Sequence, residues 1–403
     1  MSYIMVGVIA LTAIALIFGT LWGMGRGRNR SILRLILIIG CVVGAIFLRP
    51  ILVDIIMKID TGEGTVAEML ASSLNKGEQA LPASMQKLVV SLIEIIFGLL
   101  SYFILFFVLR FITWILIYPI CKIFVKKEAK KKKGLGALIG LVQGLVVAFA
   151  VIVPLNGLAI EVNKLSKLEM GGEQMLPIPA EVGLGEYAES TTYTIYDSVG
   201  GWYYDMLTTA QTKEGEKITL SGTCDVLVSM ADVGNSLNKV SSSMEALKEA
   251  GATDQQKYDA LNDAGQALKE SANKVNKLDS NAKKLLNDIL AETLSGESAQ
   301  KITLEHINLD SMAEFFEGFA EYVNKTKITP TTVSQEEVDK IVNGFAGSDF
   351  IVEMFIGDGT GAVATLYEVE LLDYPKFATA INNNTDLSLA QKAALLKVFG
   401  INV

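Results

Sequence analysis

Histidine occurs once in this 403-residue chain, as His306, so neither a His-based metal cluster nor a two-histidine relay can be assembled. A lone histidine is most often a surface residue or a hydrogen-bonded core residue. The three cysteines fall in the second apolar span (Cys41), at the basic inner end of the third (Cys121) and beyond the last (Cys224), so no two share an oxidising compartment and no intrachain disulfide framework is expected. Arginine is missing from the second half: all six (Arg26, Arg28, Arg30, Arg34, Arg49 and Arg110) precede residue 111. Gly357-Asp358-Gly359-Thr360-Gly361 lacks the Gly-Lys-Ser/Thr ending and the preceding strand of a phosphate-cradling loop, and reads as a turn between helices. The sequons at Asn324 and Asn383 would matter only in a eukaryotic secretory pathway. No repeat of 20 to 50 residues is apparent. No cofactor, metal site or catalytic residue is expected.

What the chain has in quantity is apolar sequence, unevenly spread. Half the residues are hydrophobic and the mean hydropathy is +0.38. Residues 1–157 carry 16 Lys and Arg against 7 Asp and Glu, net +9, whereas residues 158–403 carry 19 against 37, net −18. The expected partition is a membrane domain over 1–157 and an acidic soluble domain over 158–403.

Four segments are long and apolar enough to cross a bilayer, which takes roughly 20 residues of helix. Residues 4–24 and 135–155 are uncharged. Residues 32–48 contain only Arg34, close enough to the segment's start for its side chain to snorkel to the interface. Residues 88–118 contain Glu94 and Arg110, about 24 Å apart along one helix at ~1.5 Å per residue, so they cannot pair within it and are expected near opposite interfaces. Arg26, Arg28 and Arg30 separate the first two spans, and Lys122, Lys126, Lys127, Lys130, Lys131, Lys132 and Lys133 separate the last two. By the positive-inside rule both loops are cytoplasmic, which puts the N-terminus and everything after the fourth span outside. A cleaved signal peptide is not expected, since no basic n-region precedes the first apolar run and no small-residue cleavage site follows it. The lysine run also suits anionic lipid headgroups, at roughly 1 kcal/mol per lysine. It is short and lacks interleaved aromatics, so nucleic acid is not an expected partner.

Glycine spacing points to how the spans pack. Gly136, Gly140, Gly144 and Ala148 recur every fourth residue of the fourth span, Gly40 and Gly44 do so in the second, and Gly19, Gly23 and Gly27 in and after the first. Small residues in this register let helix backbones approach closely. Intramolecular bundle packing is the plain reading; homo-oligomer contacts or a pore-lining ridge are the alternatives. Against a pore, no span carries a periodic polar stripe, and Gln143 is the only strongly polar interior residue of the fourth.

The order of these parts resembles the colicin V production (CvpA) family of bacterial inner-membrane proteins. The resemblance rests on a first span ending in Gly23-Met24-Gly25-Arg26-Gly27, a second span, an outer loop, a long third span, a basic loop and the Gly136/Gly140/Gly144 span. It covers residues 4–157. Where the family tends to place Arg-Gly in the last span, this chain has Gln143-Gly144. The resemblance implies a small four-span protein linked to colicin production and envelope physiology, and carries over no catalytic residue.

The acidic half reads as mostly helical. Val226, Met230, Val233, Leu237, Val240, Met244 and Leu247 keep a 4,3 spacing, as do Leu261, Ala264, Leu268, Ser271, Val275, Leu278, Ala282, Leu285 and Ile289. A helix stop at Gly251 between them predicts a long antiparallel hairpin, packed within the protein or presented to a partner as a coiled coil. Residues 171–185 read as a linker. The tyrosine-rich stretch 187–212, which includes Trp202, is expected to make core contacts, with a membrane-surface position as the alternative. Shorter helices are expected over 311–324, 334–345, 350–355, 362–372 and 387–398, with Thr331 or Ser334 as a cap and Pro330 and Pro375 between elements.

The expected fold is therefore all-α, a four-helix transmembrane bundle followed by a helical extracytoplasmic domain. The expected function is non-enzymatic: an envelope scaffold or accessory protein that supports secretion, toxin production or export, or envelope maintenance through an outer interaction domain. The alternative is a channel or transporter using the glycine ridges and the polar residues Arg34, Glu94 and Arg110.

Overall fold

The computed structural model describes residues 2–60, 65–66, 69, 83–125, 132–167, 169–170, 173–174, 182–211, 217–248, 253–294, 302–326, 333–349, 352 and 373–398. Lys126, Lys127, Lys130 and Lys131, the expected helices at 350–355 (apart from Val352) and 362–372, the 357–361 turn, Gly251 and most of the 171–185 linker lie outside them. Among the described residues the chain is helical almost throughout, and strands are confined to two short antiparallel pairings, Glu169–Met170 with Glu173–Gln174 and Thr209–Gln211 with Lys217–Thr219. The chain divides into two compact units, Met1–Asp225 and Val226–Val403.

The first unit contains the four helices long and apolar enough to cross a membrane. They are α1 (Tyr3–Arg26), α2 (Arg28–Met57), α3 (Ala83–Ile112) with its continuation, and α5 (Lys133–Ser166). A π-helical stretch, Thr113–Ile117, joins α3 to α4 (Tyr118–Phe124). It lies just ahead of Pro119, whose missing N–H frees a carbonyl of the preceding turn. Ser2 caps α1 through its side chain, and Gly27, at φ 78°, is the single residue between α1 and α2. The bundle exposes an apolar coat rather than a polar one, with Ile14, Ile17, Phe18, Phe47, Phe107 and Phe111 each at least half exposed. Such a continuous apolar surface requires lipid or another apolar cover.

Two helices run past the expected span ends at 48 and 155, each through an internal proline. Pro50 lies inside α2 and Pro154 inside α5, which continues to Ser166, so position 157 falls within a helix. Pro154 cannot donate to the Ala150 carbonyl four residues back. The Tyr102 hydroxyl of α3 donates to that carbonyl instead, at 3.0 Å. A neighbouring helix thus satisfies the group that proline orphans.

After α5 come α6 (Leu184–Ala188) and α7 (Thr191–Leu207), the latter capped by Ser190. Along α7, Gly200, Tyr203, Tyr204 and Leu207 are buried, while Ile195, Val199, Trp202 and Met206 form an exposed apolar stripe. The aromatic stretch therefore splits: its tyrosines pack inward, as expected, and Trp202 does not.

The second unit is built from the later part of α8 (Leu220–Lys248), α9 (Asp254–Lys277), α10 (Ser280–Leu294), α11 (Leu304–Ile307), α12 (Leu309–Thr326), α13 (Gln335–Ala346), α14 (Tyr374–Asn383) and α15 (Leu389–Val398). In the part of α8 that belongs to this unit, Val226, Leu227, Ser229, Val233, Ser236, Val240 and Ser243 are buried. Ser229 and Ser236 thus take the places expected for Met230 and Leu237, which are half-buried. Two of the serine hydroxyls are satisfied locally, Ser236 by the Asp232 carbonyl and Ser243 by the Val240 carbonyl, each at 2.8 Å. Ser236 Oγ also lies 2.9 Å from the Ala267 carbonyl and 2.7 Å from Ser271 Oγ of α9, and Lys274 pairs with Asp232 at 2.7 Å. The second periodic run buries Leu261, Ala264, Leu268, Ser271 and Val275 as expected, but it is not continuous. Asp279 breaks it by accepting the backbone N–H groups of Asn281 and Ala282, which starts α10. Phe315, Phe316, Phe319, Tyr322, Phe345 and Phe377 form an aromatic core on α12, α13 and α14. Ser334 caps α13 in a capping box with Glu337. Pro375 opens α14 rather than separating elements, as a first-turn proline can.

Candidate functional site

The seam between α1 and α5 is the tightest contact in the bundle. An ideal Cβ on Gly140 would stand 2.9 Å from Gly23 Cα and 3.0 Å from the Gly19 carbonyl carbon. One on Gly23 would stand 2.8 Å from Gly140 Cα, and one on Gly144 2.9 Å from Leu16 Cα. Gly136, Gly140 and Gly144 thus meet Gly23, Gly19 and the Ala15–Leu16 backbone in antiparallel order. Ala148, further along the same face, is buried. Gln143 lies beside this ridge, 5% exposed, and its amide donates to the Ser31 carbonyl of α2. The second-span glycines behave differently. A Cβ on Gly44 would meet only a side-chain methyl of Leu109 at 3.2 Å, and one on Gly40 would meet nothing within 4 Å. The close approach expected at Gly40 is not made within this chain, because α2 buries the face of Ile38, Cys41 and Ala45 instead.

The seam brings the two basic loops to one end of the bundle. Gly136, one turn into α5, lies against Gly27, so Arg26, Arg28 and Arg30 share that end with Lys132 and Lys133. Arg26 lies over the Trp22 ring at 5.2 Å and the Tyr118 ring at 5.7 Å. Arg34 is 7% exposed and stacks on Trp22 at 4.6 Å. The ring face attracts the guanidinium, which holds it in the bundle. Arg110 is half-buried and interacts electrostatically with Arg26 and Cys41. Glu94, also half-buried, lies sixteen residues earlier on the same helix α3.

The other end of α5 builds the polar site. Lys164 reaches Glu161 Oε1 at 3.3 Å, Ser221 at 3.3 Å and Asp225 at 2.8 Å. These three acceptors match the three donors of its ammonium. Tyr204 of α7 lies flat on Gly157, where a Cβ would stand 2.5 Å from the ring. The Tyr187 hydroxyl donates to Asn156 Oδ1, and the Tyr203 hydroxyl donates to that of Tyr102 at 2.5 Å. Burial pushes the hydroxyl pKa of Tyr187 up to about 12. Tyr203 and Tyr204 are raised for the same reason first, helped by Tyr102 in one case and Glu161 in the other. Cys224, fully buried beside Glu161, is also raised by burial and then by that carboxylate, so it is not a poised thiolate. Asp205 is raised by partial burial and by neighbouring Asp197.

Between α5 and α7 lies a cavity of about 210 Å³. Its chemistry comes from Glu161 and Lys164 on one helix and Tyr193, Tyr196, Asp197, Tyr204 and Asp205 on the other. Nothing local in the sequence announces this site, since its two walls are separated by the linker. The only available signal was the tyrosine density of 187–212. His306, in the second unit, is 9% exposed, with its ring nitrogen 3.9 Å from Asp349. Among the described residues no group of three or more histidine, cysteine or carboxylate side chains is placed to hold a metal ion. No protein-family model, curated protein or solved structure matches the chain.

Proposed function

We propose that this protein is an integral-membrane scaffold, in which the four-span bundle anchors a helical domain that engages a protein partner outside the cytoplasmic membrane. The observation that carries this reading is the α1/α5 seam. Its glycines are occupied by backbone-to-backbone contact within the chain, which suits a rigid anchor and leaves the ridge no free face to line a conduit. The gathering of Arg26, Arg28, Arg30, Lys132 and Lys133 at one end supports a single basic, cytoplasmic face. On that orientation the chain beyond α5 lies outside, and α7 turns its Ile195, Val199 and Trp202 stripe to the outer leaflet.

The antiparallel Ser236–Ser271 and Asp232–Lys274 contacts between α8 and α9 support a long hairpin as the core of the outer domain. The CvpA-like order of spans is what suggests a role in secretion, toxin production or envelope maintenance. A photo-crosslinking residue at exposed Asn238 or Lys239, in the full chain in native membranes, tests the reading. A discrete partner adduct is expected; recovery of monomer alone would reject it. Ion or solute flux through liposomes that is abolished by Gly140→Leu would favour the channel reading instead.

A further inference from the structure

We infer that the cavity between α5 and α7 is a binding site for an alkylammonium or guanidinium group. Three observations converge on a cation with N–H donors. The lining carries three carboxylates, Glu161, Asp197 and Asp205, against one cation, Lys164. That cation has no donor left to offer, because its three partners are Glu161, Ser221 and Asp225. An anionic ligand would meet surplus negative charge and no free donor from it.

The second observation is a pair of orphaned acceptors in the lining. The Tyr204 hydroxyl, on a residue 5% exposed, has no hydrogen-bond partner. Glu161 Oε2, on a residue 4% exposed, has only the ion pair with Lys164 at 3.2 Å and no aligned donor. Buried polar oxygens left in this state are costly, and ligand N–H groups can be accepted by the Glu161 carboxylate and by the oxygen of the Tyr204 hydroxyl. Third, Tyr193, Tyr196 and Tyr204 add aromatic surface to the same lining, and ring faces attract organic cations. Asp197 and Asp205 are exposed, so the carboxylates extend from the buried Glu161 to the solvent side. A primary ammonium or guanidinium on a short alkyl stem combines these features; a hydrated metal ion does not use the rings.

The same cation chemistry can arrive as a free amine or as the ethanolamine headgroup of a phospholipid. The test uses the full chain in phosphatidylglycerol nanodiscs, titrated with n-butylammonium and agmatine and, as the uncharged control, n-butanol. A saturable rise in unfolding temperature is expected with either cation and not with the alcohol. Glu161→Gln alters the Lys164 network and can unfold the site, so the exposed pair Asp197→Asn/Asp205→Asn provides the decisive variant. Its binding should weaken about tenfold, the loss expected when charge-assisted contacts are removed. Adding phosphatidylethanolamine distinguishes the sources: competition with butylammonium identifies the headgroup as occupant, and its absence identifies a soluble cation. The inference is overturned if neither cation source binds, if butanol stabilises equally, or if the Asp197/Asp205 variant binds as tightly as the parent.

Discussion

Replacing Gly140 by alanine puts a methyl group where two backbones already touch. The new Cβ would stand 2.9 Å from Gly23 Cα and 3.0 Å from the Gly19 carbonyl carbon, with the Gly19 oxygen nearer still. Carbon atoms rest at roughly 3.5–4.0 Å, so α1 and α5 must part by about 1 Å at this level. No rotamer change relieves the clash, because every atom in the way is backbone. Overpacking of this kind costs about 1–3 kcal/mol, and the absence of a flexible neighbour puts this site at the upper end. Parting the helices also weakens the neighbouring contacts at Gly136 and Gly144.

Gly40→Ala is the matched control. Its Cβ meets nothing within 4 Å, so only the helix propensity of alanine acts, a gain of up to about 1 kcal/mol. Gly140→Ala gains the same propensity, so the two substitutions should differ by the overpacking cost alone, up to about 3 kcal/mol, with Gly140→Ala the less stable. Equilibrium unfolding in mixed micelles, followed by helical circular dichroism, measures the difference. Equal midpoints for the two variants would refute the assignment of the seam to this chain's own α1 and α5.

Orientation is tested with Ser241→Cys, an exposed position of α8, in a background without native cysteines. It should react with a membrane-impermeant maleimide in intact cells, and protection until permeabilisation would invert the proposed topology. Native Cys224 is no reporter of sidedness, being fully buried, and should react only on unfolding. In alkali, Tyr187 holds its proton up to about 12 in the folded state because burial disfavours the phenolate, against about 10 unfolded. The stability it contributes is thus intact below pH ~10 and lost as pH rises from ~10 toward ~12. Tyrosinate absorbance should rise together with loss of helix in that window; full ionisation near pH ~10 with helix retained would contradict the burial argument. In the second unit, Phe316→Ala should cost about 3–5 kcal/mol because the ring is wholly buried among Phe315 and its neighbours. Leu389→Ala, at 85% exposure, should change stability by less than about 0.5 kcal/mol, and a reversal of that order in denaturant titrations would contradict the assigned core.

The apolar runs, the basic loops and the Gly136/Gly140/Gly144 register were legible because each is a local pattern with a local physical cause. Helix ends were not, where a distant group settles them. The fourth helix runs on to Ser166, past the expected span end at 155, with Tyr102 of another helix taking over the Ala150 carbonyl that Pro154 leaves without a donor. The α8 seam departs from the hydropathy pattern at Ser229 and Ser236, because hydropathy counts serine as polar. Ser236 and Ser243 lose that cost by bonding to their own helix, and their small size lets helices approach. The stacking of Arg34 on Trp22 was not legible either, because the two residues sit on different helices and no local pattern pairs them.

By itself, the sequence determined that this chain carries four membrane-length helices with a polarised charge distribution, since span length, loop charge and small-residue spacing act over one helix at a time. Only the tertiary structure decided which glycines are pressed together, leaving Gly40 free while Gly140 meets Gly19 and Gly23. It alone decided that Glu161 and Lys164 share a cavity with Tyr193, Tyr196 and Tyr204. Those choices depend on which faces meet when helices distant in the chain pack, and no local periodicity encodes the identity of a partner face.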